Sequence, residues 1–227
     1  MIDYNDCWYQ EVCKKHTRNK SHCRSCPKFI EMRAMLRQSN LPEKKWKPQQ
    51  LIPNGNEKSH SRLMEIKSDI KNWVELGNNL YIYSESCGTA KTWWSIKLLQ
   101  SYFDKVWAGN SLSCRGIFIS VPSFLVRNKE NISKFDEDFV NLREQLLDVD
   151  IVIWDDIAVT KLTEFEHALL LSYIDTRILN EKANIFTGNA DKKVIETYLG
   201  ERLASRVYSG SEVLQFTNRD MRGVNLW

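Results

Sequence analysis

From residue 79 onward the chain alternates short apolar runs with longer stretches of helical spacing. Leu80 to Ser84 (LYIYS), Gly116 to Val121 (GIFISV), Ile151 to Asp155 (IVIWD), Ala183 to Thr187 (ANIFT) and Val213 to Phe216 (VLQF) read as strands. Each is short, rich in β-branched or aromatic residues, and bounded by polar or turn residues. The unbroken apolar run Ile151–Trp154 marks a strand covered on both faces. Amphipathic spacing between these runs predicts helices from Thr92 to Phe103 and over 138–148, 162–180 and 191–208. Strands and helices alternating at this interval predict an α/β fold: a parallel five-stranded sheet flanked by helices.

Ahead of this core, Leu63, Ile66, Ile70 and Trp73 predict a helix over about 60–75. Residues 41–59 (LPEKKWKPQQLIPNGNEKS) carry three prolines and a PNGN turn, the composition of a linker. Residues 28–39 place Phe29, Ile30, Met32, Met35 and Leu36 at helical spacing. The first 26 residues have little regular periodicity and are rich in Cys, His, Lys and Arg. The expected division is a small module over 1–40, a linker over 41–59 and a main domain over 60–227.

The composition fits a folded protein: 42% of the 227 residues are apolar and 27% charged. No apolar run approaches the roughly 20 residues that span a bilayer. The start, MIDYNDCWYQ, is not a basic segment followed by an apolar one, so a cytoplasmic protein is expected. Charge is unevenly placed. Residues 1–50 hold eleven Lys/Arg against five Asp/Glu, while the rest is slightly acidic. A basic head on a near-neutral body fits an acidic partner such as nucleic acid, or equally a plain solvated surface.

The segment Glu85-Ser86-Cys87-Gly88-Thr89-Ala90-Lys91-Thr92 lies between a strand and a helix, where a phosphate-binding loop belongs. Its backbone N–H groups and the helix N-terminus would wrap the phosphates of ATP or ADP. Lys91 would reach the β- and γ-phosphates, and Thr92 would offer its hydroxyl to Mg²⁺. The match to GxxxxGK[ST] is incomplete. Glu85 and Ala90 stand where the two glycines belong, and the Ala90 Cβ is expected to crowd the approach to phosphate.

A second motif supports the first. The strand Ile151–Trp154 ends in Asp155-Asp156, and a buried strand rarely ends in two carboxylates without a reason. Asp155 is expected to hold Mg²⁺ and Asp156 to orient the attacking water. Thr187-Gly188-Asn189 ends the next strand, where a polar side chain can meet the γ-phosphate. Arg202 and Arg206 follow in GERLASRV, and Arg222, near the end, is expected to reach the nucleotide of its own subunit. Each of these three arginines is weak evidence singly; their order along the chain carries the weight.

Four of the six cysteines fall early: Cys7, Cys13, Cys23 and Cys26. In a chain expected to stay reduced, four thiolates with a C-x2-C pair point to tetrahedral Zn²⁺, with His16 or His22 able to replace one thiolate. So small a segment has too little apolar content to fold unaided, and metal would supply the folding free energy.

Together, NNLYIYSESCGTAKTWWSIKL, IVIWDDI, FTGN and GERLASRV make the chain, over roughly residues 60–227, similar to the DnaC/DnaI-type AAA+ helicase loaders. It resembles most the short versions carried by phages and prophages, and the Cys-rich head resembles the zinc module of the DnaI-like members. The resemblance implies that Lys91 and Thr92 are Walker A, Asp155 and Asp156 Walker B, Asn189 sensor 1, Arg206 an arginine finger acting in trans and Arg222 sensor 2. It also implies an ATPase that associates with itself. Such a protein grips a hexameric replicative DnaB-type helicase through its head and delivers it onto single-stranded DNA. Asp156 departs from the Glu that many AAA+ proteins carry. With Glu85 and Ala90, it bears on hydrolysis more than on binding. Two other readings remain: an IstB-like ATPase assisting a transposase, and a nucleotide-binding adaptor that scarcely hydrolyses.

Overall fold

The computed structural model describes residues 7, 26–53, 55–109 and 112–217. The five predicted strands are present as β1 (Asn79–Tyr83), β2 (Gly116–Ser120), β3 (Ile151–Asp155), β4 (Ala183–Gly188) and β5 (Glu212–Gln215). They form one sheet in the order β2-β3-β4-β1-β5, and every pairing is parallel. The alternation of strand side chains divides the core into two layers. Tyr81, Ile119, Val152, Trp154 and Phe186 face one side of the sheet. Leu80, Ile82, Phe118, Ile153 and Ile185 face the other.

Helix α1 (Pro27–Gln38), α2 (Glu57–Ser68), α3 (Ile70–Glu75) and α4 (Lys91–Val106) build the layer over Leu80 and Ile82. Helix α5 (Val121–Ser133), α6 (Glu137–Asp148), α7 (Glu164–Leu179) and α8 (Lys192–Ala204) build the layer over Tyr81 and Trp154. The helix that follows β1 therefore leaves to one face, while those that follow β3 and β4 leave to the other. Since β1 and β4 are neighbours, a crevice opens at their C-terminal ends, the usual ligand position in such sheets.

Local details depart from the sequence reading. The expected 60–75 helix breaks at Asp69, which closes α2 and opens α3. The expected 191–208 helix turns at Gly200 (φ 74°) and ends in a wide helical turn, Ser205–Ser209. Helix α5 was not anticipated. Its Pro122 looks like a breaker but occupies the first turn, where no N–H is needed.

The larger departure is at the N-terminal side of the core. The apolar stripe of α1 is not displayed to solvent. Phe29, Met32, Met35 and Leu36 are buried, the last three within the α2–α4 layer, and only Ile30 is exposed. The stretch predicted as a linker is also seated, as far as residue 51. Leu41 is buried, Gln100 donates to the carbonyls of Lys45 (3.2 Å) and Trp46 (2.9 Å), and Lys97 donates to that of Gln49 (2.8 Å). His60 meets the Leu51 carbonyl at 3.2 Å. The Phe118 N–H donates to the Ser39 carbonyl at 2.8 Å, tying the end of α1 to β2. Residues 27–51 thus pack as part of the core, because α1 buries its apolar stripe there instead of on a separate module.

One buried cation fastens the sheet to α7. Arg177 donates to the carbonyls of Leu146 (2.6 Å), Val149 (2.9 Å) and Ala183 (2.7 Å) and to Asn184 Oδ1 (2.8 Å). Those carbonyls lie where α6 runs into β3 and where β4 begins, so one side chain fixes the spacing of both strands.

Candidate nucleotide site

Strand β1 delivers the chain into the loop Ser84–Ala90, and α4 begins at Lys91. The loop turns through two left-handed residues, Gly88 (φ 74°) and Ala90 (φ 65°). Ala90 is the N-cap of α4, the place where glycine would adopt this conformation freely. The alanine therefore keeps the backbone turn that a phosphate loop requires, in a conformation that disfavours its Cβ by about 1–2 kcal/mol. Lys91 is buried at 6% exposure, and its ammonium bridges the loop by donating to the Ser86 carbonyl (3.2 Å) and Thr89 Oγ1 (3.3 Å). Glu85 stands exposed on the loop's outer side.

Beneath the loop, three elements meet at one carboxylate oxygen. Asp155 Oδ1, at the end of β3, accepts the hydroxyl of Thr92 from α4 (2.8 Å) and that of Thr187 from β4 (2.6 Å). The Thr187 oxygen in turn accepts the Asp156 N–H at 3.1 Å. This hydroxyl both orients Asp155 and holds Asp156 in a left-handed turn (φ 59°). Burial pushes the Asp155 carboxyl above the usual carboxylate range, and the neighbouring Asp156 charge adds to the push. The Thr187 and Thr92 hydroxyls and the Lys45 charge pull it back. The hydroxyl of Thr92 and the carboxylate of Asp155 are the hard oxygen donors that suit Mg²⁺.

Above this cluster lies an open cleft of about 430 Å³, lined by Cys87–Trp93, Asp156, Asn189 and Lys45. Its volume falls in the range of small-molecule sites. Asn189 reaches over from the end of β4 to Cys87 Sγ (3.9 Å), so the β4 terminus and the loop enclose the cleft from two sides. Of the loop residues predicted to bind phosphate, Cys87 to Thr92 line the cleft, whereas Glu85 and Ser86 are not among its lining residues.

Solved structures superpose on this fold. The DnaC helicase loader superposes with a TM-score of 0.59 at 17% identity, covering 78% of this chain and 100% of that one. AMPPCP-bound DnaA from Aquifex aeolicus gives 0.57 at 22% identity, covering 76% of this chain and 50% of DnaA. DnaI gives 0.55 at 14% identity, covering 71% and 84%. The fold is the one these solved structures share. The chain spans all of the matched DnaC structure but half of the DnaA one. No family model matches the sequence, and no curated protein matches it.

Lys91, Thr92, Asp156 and Asn189, four of the residues expected to serve a nucleotide, line this one cleft, and Asp155 lies on the Thr92 hydroxyl beside it (2.8 Å). Arg206 does not join them. It sits on the Ser205–Ser209 turn and its Nε donates to Asp175 of α7 at 2.5 Å, with Arg202 on the same carboxylate at 3.7 Å. Arg222 lies outside the described residues, as do Cys13 and Cys23 and the alternative ligands His16 and His22. Cys7 and Cys26 are described and partly buried, Cys26 at the N-cap of α1. Among the described residues no cluster of metal ligands is present, so the expected zinc set cannot be assembled from them.

Two lining or supporting residues escaped the sequence reading. Thr187 was noted only as part of a strand end, although a hydroxyl closing an apolar strand beside Asp-Asp is a usable signal. Lys45 gave none, since it lies in the stretch read as a linker and reaches the cleft only through the packing of residues 41–51.

Proposed function

We propose that this chain is a nucleotide-controlled ATPase of replication initiation that binds a hexameric replicative helicase and delivers it onto single-stranded DNA. The observation that carries the nucleotide part is the shared Asp155 oxygen. One carboxylate receives hydroxyls from the Walker A helix and from β4, directly below a loop with left-handed backbone at Gly88 and Ala90. Bound Mg²⁺ would be held at Thr92 and Asp155 and would neutralise phosphate charge. Lys91 then leaves its loop acceptors for the β- and γ-phosphates. Asp156 and Asn189 position a water whose oxygen bonds to the γ-phosphorus as the bond to the ADP oxygen breaks. Asp156 is one methylene shorter than glutamate, which supports slow turnover, and a binder that scarcely hydrolyses is the second reading this favours.

The helicase and DNA part is supported by the likeness to DnaC and DnaI over most of this chain, and by the single-stranded DNA bound to a DnaA structure of similar fold (TM-score 0.55, 22% identity). We place the helicase contact in the Cys-rich head ahead of α1, with Trp8 and Tyr9, since the α1 stripe is buried in the core. Zinc held by Cys7, Cys13, Cys23 and Cys26 remains part of this reading, and elemental analysis of the purified chain should find near one zinc per chain. Arg206 serves a neighbouring subunit's site and Arg222 its own.

The test is co-migration of the full chain with a replicative helicase in the presence of ATP. Wild type should co-migrate, Trp8→Ala/Tyr9→Ala should not, and Lys91→Ala should lose nucleotide-dependent release. Binding to a transposase in place of the helicase would move the function to the IstB-like alternative.

A further inference from the structure

Lys45 ends a short helical turn, Glu43–Lys45, ahead of the ATPase core, yet its side chain lines the nucleotide cleft with Gly88, Lys91, Thr92 and Asp156. Its position is fixed from behind. The Lys45 carbonyl accepts from Gln100 of α4 (3.2 Å), and the next residue, Trp46, donates its indole N–H to the Leu41 carbonyl (2.8 Å). The ammonium lies 5.7 Å from the centre of the Trp93 ring and 5.5 Å from that of Phe118. Among the described residues no carboxylate pairs with it, although its charge is felt at Asp155. An aromatic face attracts an ammonium without giving it a hydrogen-bond acceptor, whereas a phosphate oxygen offers a charge-assisted hydrogen bond. A half-buried cation resting on rings at the rim of an anion site is thus positioned without being satisfied.

We propose that Lys45 is a nucleotide-binding residue that contacts the terminal phosphate of a bound nucleoside triphosphate, and that it thereby couples the seating of residues 41–51 to the presence of that phosphate. The proposal rests on the P-loop reading of Lys91. It adds a second cation, supplied by the segment joining α1 to α2. The triphosphate then fastens that segment, and the diphosphate leaves it held only by its packing and carbonyl bonds. Nucleotide state is in this way transmitted toward α1 and the residues before it.

The test uses the full chain with Mg²⁺ and compares AMPPCP with ADP by calorimetry in wild type, Lys45→Met, Lys45→Ala and Lys91→Ala. Lys45→Met keeps an unbranched stem over Trp93 and Phe118 and guards against loss of the local fold. Both Lys45 variants should bind AMPPCP about tenfold more weakly, the loss of one charge-assisted contact, and ADP within threefold of wild type. Amide exchange over residues 41–51 should slow with AMPPCP in wild type and not in Lys45→Met. Equal loss for both nucleotides, unchanged affinity, or tighter AMPPCP binding by Lys45→Met overturns the proposal, tighter binding marking Lys45 as a plug of the empty site. If Lys91→Ala binds both nucleotides like wild type, the P-loop reading itself fails; if Lys91→Ala loses both and Lys45→Met loses neither, only the Lys45 proposal falls.

Discussion

Replacing Asp155 by Asn should make the nucleotide-free protein more stable while removing its grip on Mg²⁺-nucleotide. Both hydroxyls that reach this side chain end on Oδ1, from Thr92 at 2.8 Å and Thr187 at 2.6 Å. An asparagine keeps that oxygen and both hydrogen bonds. What it removes is a negative charge at 6% exposure next to a second carboxylate, Asp156. Relieving a functional site of such a charge typically stabilises by about 1 kcal/mol. For a chain of this size that is a rise in Tm of about 2–4 °C. The pH dependence follows from the raised folded-state value. Asp155 takes up its proton more readily folded than unfolded, so its destabilising charge develops as pH rises from about 4 and is complete once pH has passed the raised value. The advantage of Asn should therefore grow as pH rises from about 4 and close as pH falls back toward it. Thermal unfolding of both proteins across this range, with Mg²⁺-ADP affinity at neutral pH, measures each part. An Asn variant that is less stable at neutral pH would refute the idea that Asp155 is held ready for a metal and make it a structural anchor. Unchanged Mg²⁺-dependent affinity would refute the site.

Ala90→Gly should raise stability by about 0.5–1 kcal/mol, the left-handed penalty less the greater freedom of the unfolded glycine, and calorimetry should show no loss of nucleotide affinity; a lower Tm would mean the loop does not strain Ala90. Arg177→Met should lower the urea-unfolding free energy by at least about 3 kcal/mol, because three carbonyls between 2.6 and 2.9 Å lose the Arg177 donor inside the protein and Asn184 Oδ1 keeps that of Trp154 but loses that of Arg177; a loss under about 1 kcal/mol would show that water or repacking replaces it. Mixing folded Arg206→Ala with Lys91→Ala should partly restore ATP turnover if Arg206 completes a neighbour's site, and Asp175→Ala, which frees Arg206 from its 2.5 Å partner, should raise rather than lower turnover; no restoration at any ratio counts against a shared site.

What was legible in the sequence was whatever a local period or a short motif encodes. The strands announce themselves because each is a brief apolar run that must alternate between two covered faces. The carboxylates at 155 and 156 stand out because charge at the end of a buried strand needs a purpose. The missed features depend on contacts between distant segments. Nothing local distinguishes a Pro-rich linker from a Pro-rich strap, and residues 41–51 became a strap through bonds to Gln100 and Lys97 and through Leu41. The amphipathic stripe of α1 was visible, but not which surface would cover it. Arg177 looks like any helical arginine until the carbonyls of Leu146, Val149 and Ala183 are brought around it.

Two of the three departures from the usual ATPase motifs, Ala90 and Asp156, converge physically. Ala90 and Asp156 both line one cleft, and both hold positive φ, 65° and 59°, where a side chain is disfavoured. An unconstrained turn would relax away from either conformation. At Asp156 the relaxation is blocked by its N–H bond to Thr187 Oγ1 (3.1 Å) and by the next N–H, from Ile157, on the Thr187 carbonyl (2.9 Å). At Ala90 it is blocked on the helix side, where the Ala90 carbonyl accepts the Trp94 N–H (2.9 Å) in the first turn of a buried helix. Strain survives where surrounding structure over-determines it, and it clusters at sites that bind or react. Here the β4 threonine holds the strained Asp156 and also orients the Asp155 carboxylate. Moving Thr187 therefore moves Asp155 and Asp156 together. Thr187→Val, nearly the same shape without the hydroxyl, should uncouple them. It should weaken Mg²⁺-nucleotide binding and turnover alike while leaving the sheet intact, whereas Thr187→Ser should retain both. Equal behaviour of the two variants would place the support of this site elsewhere.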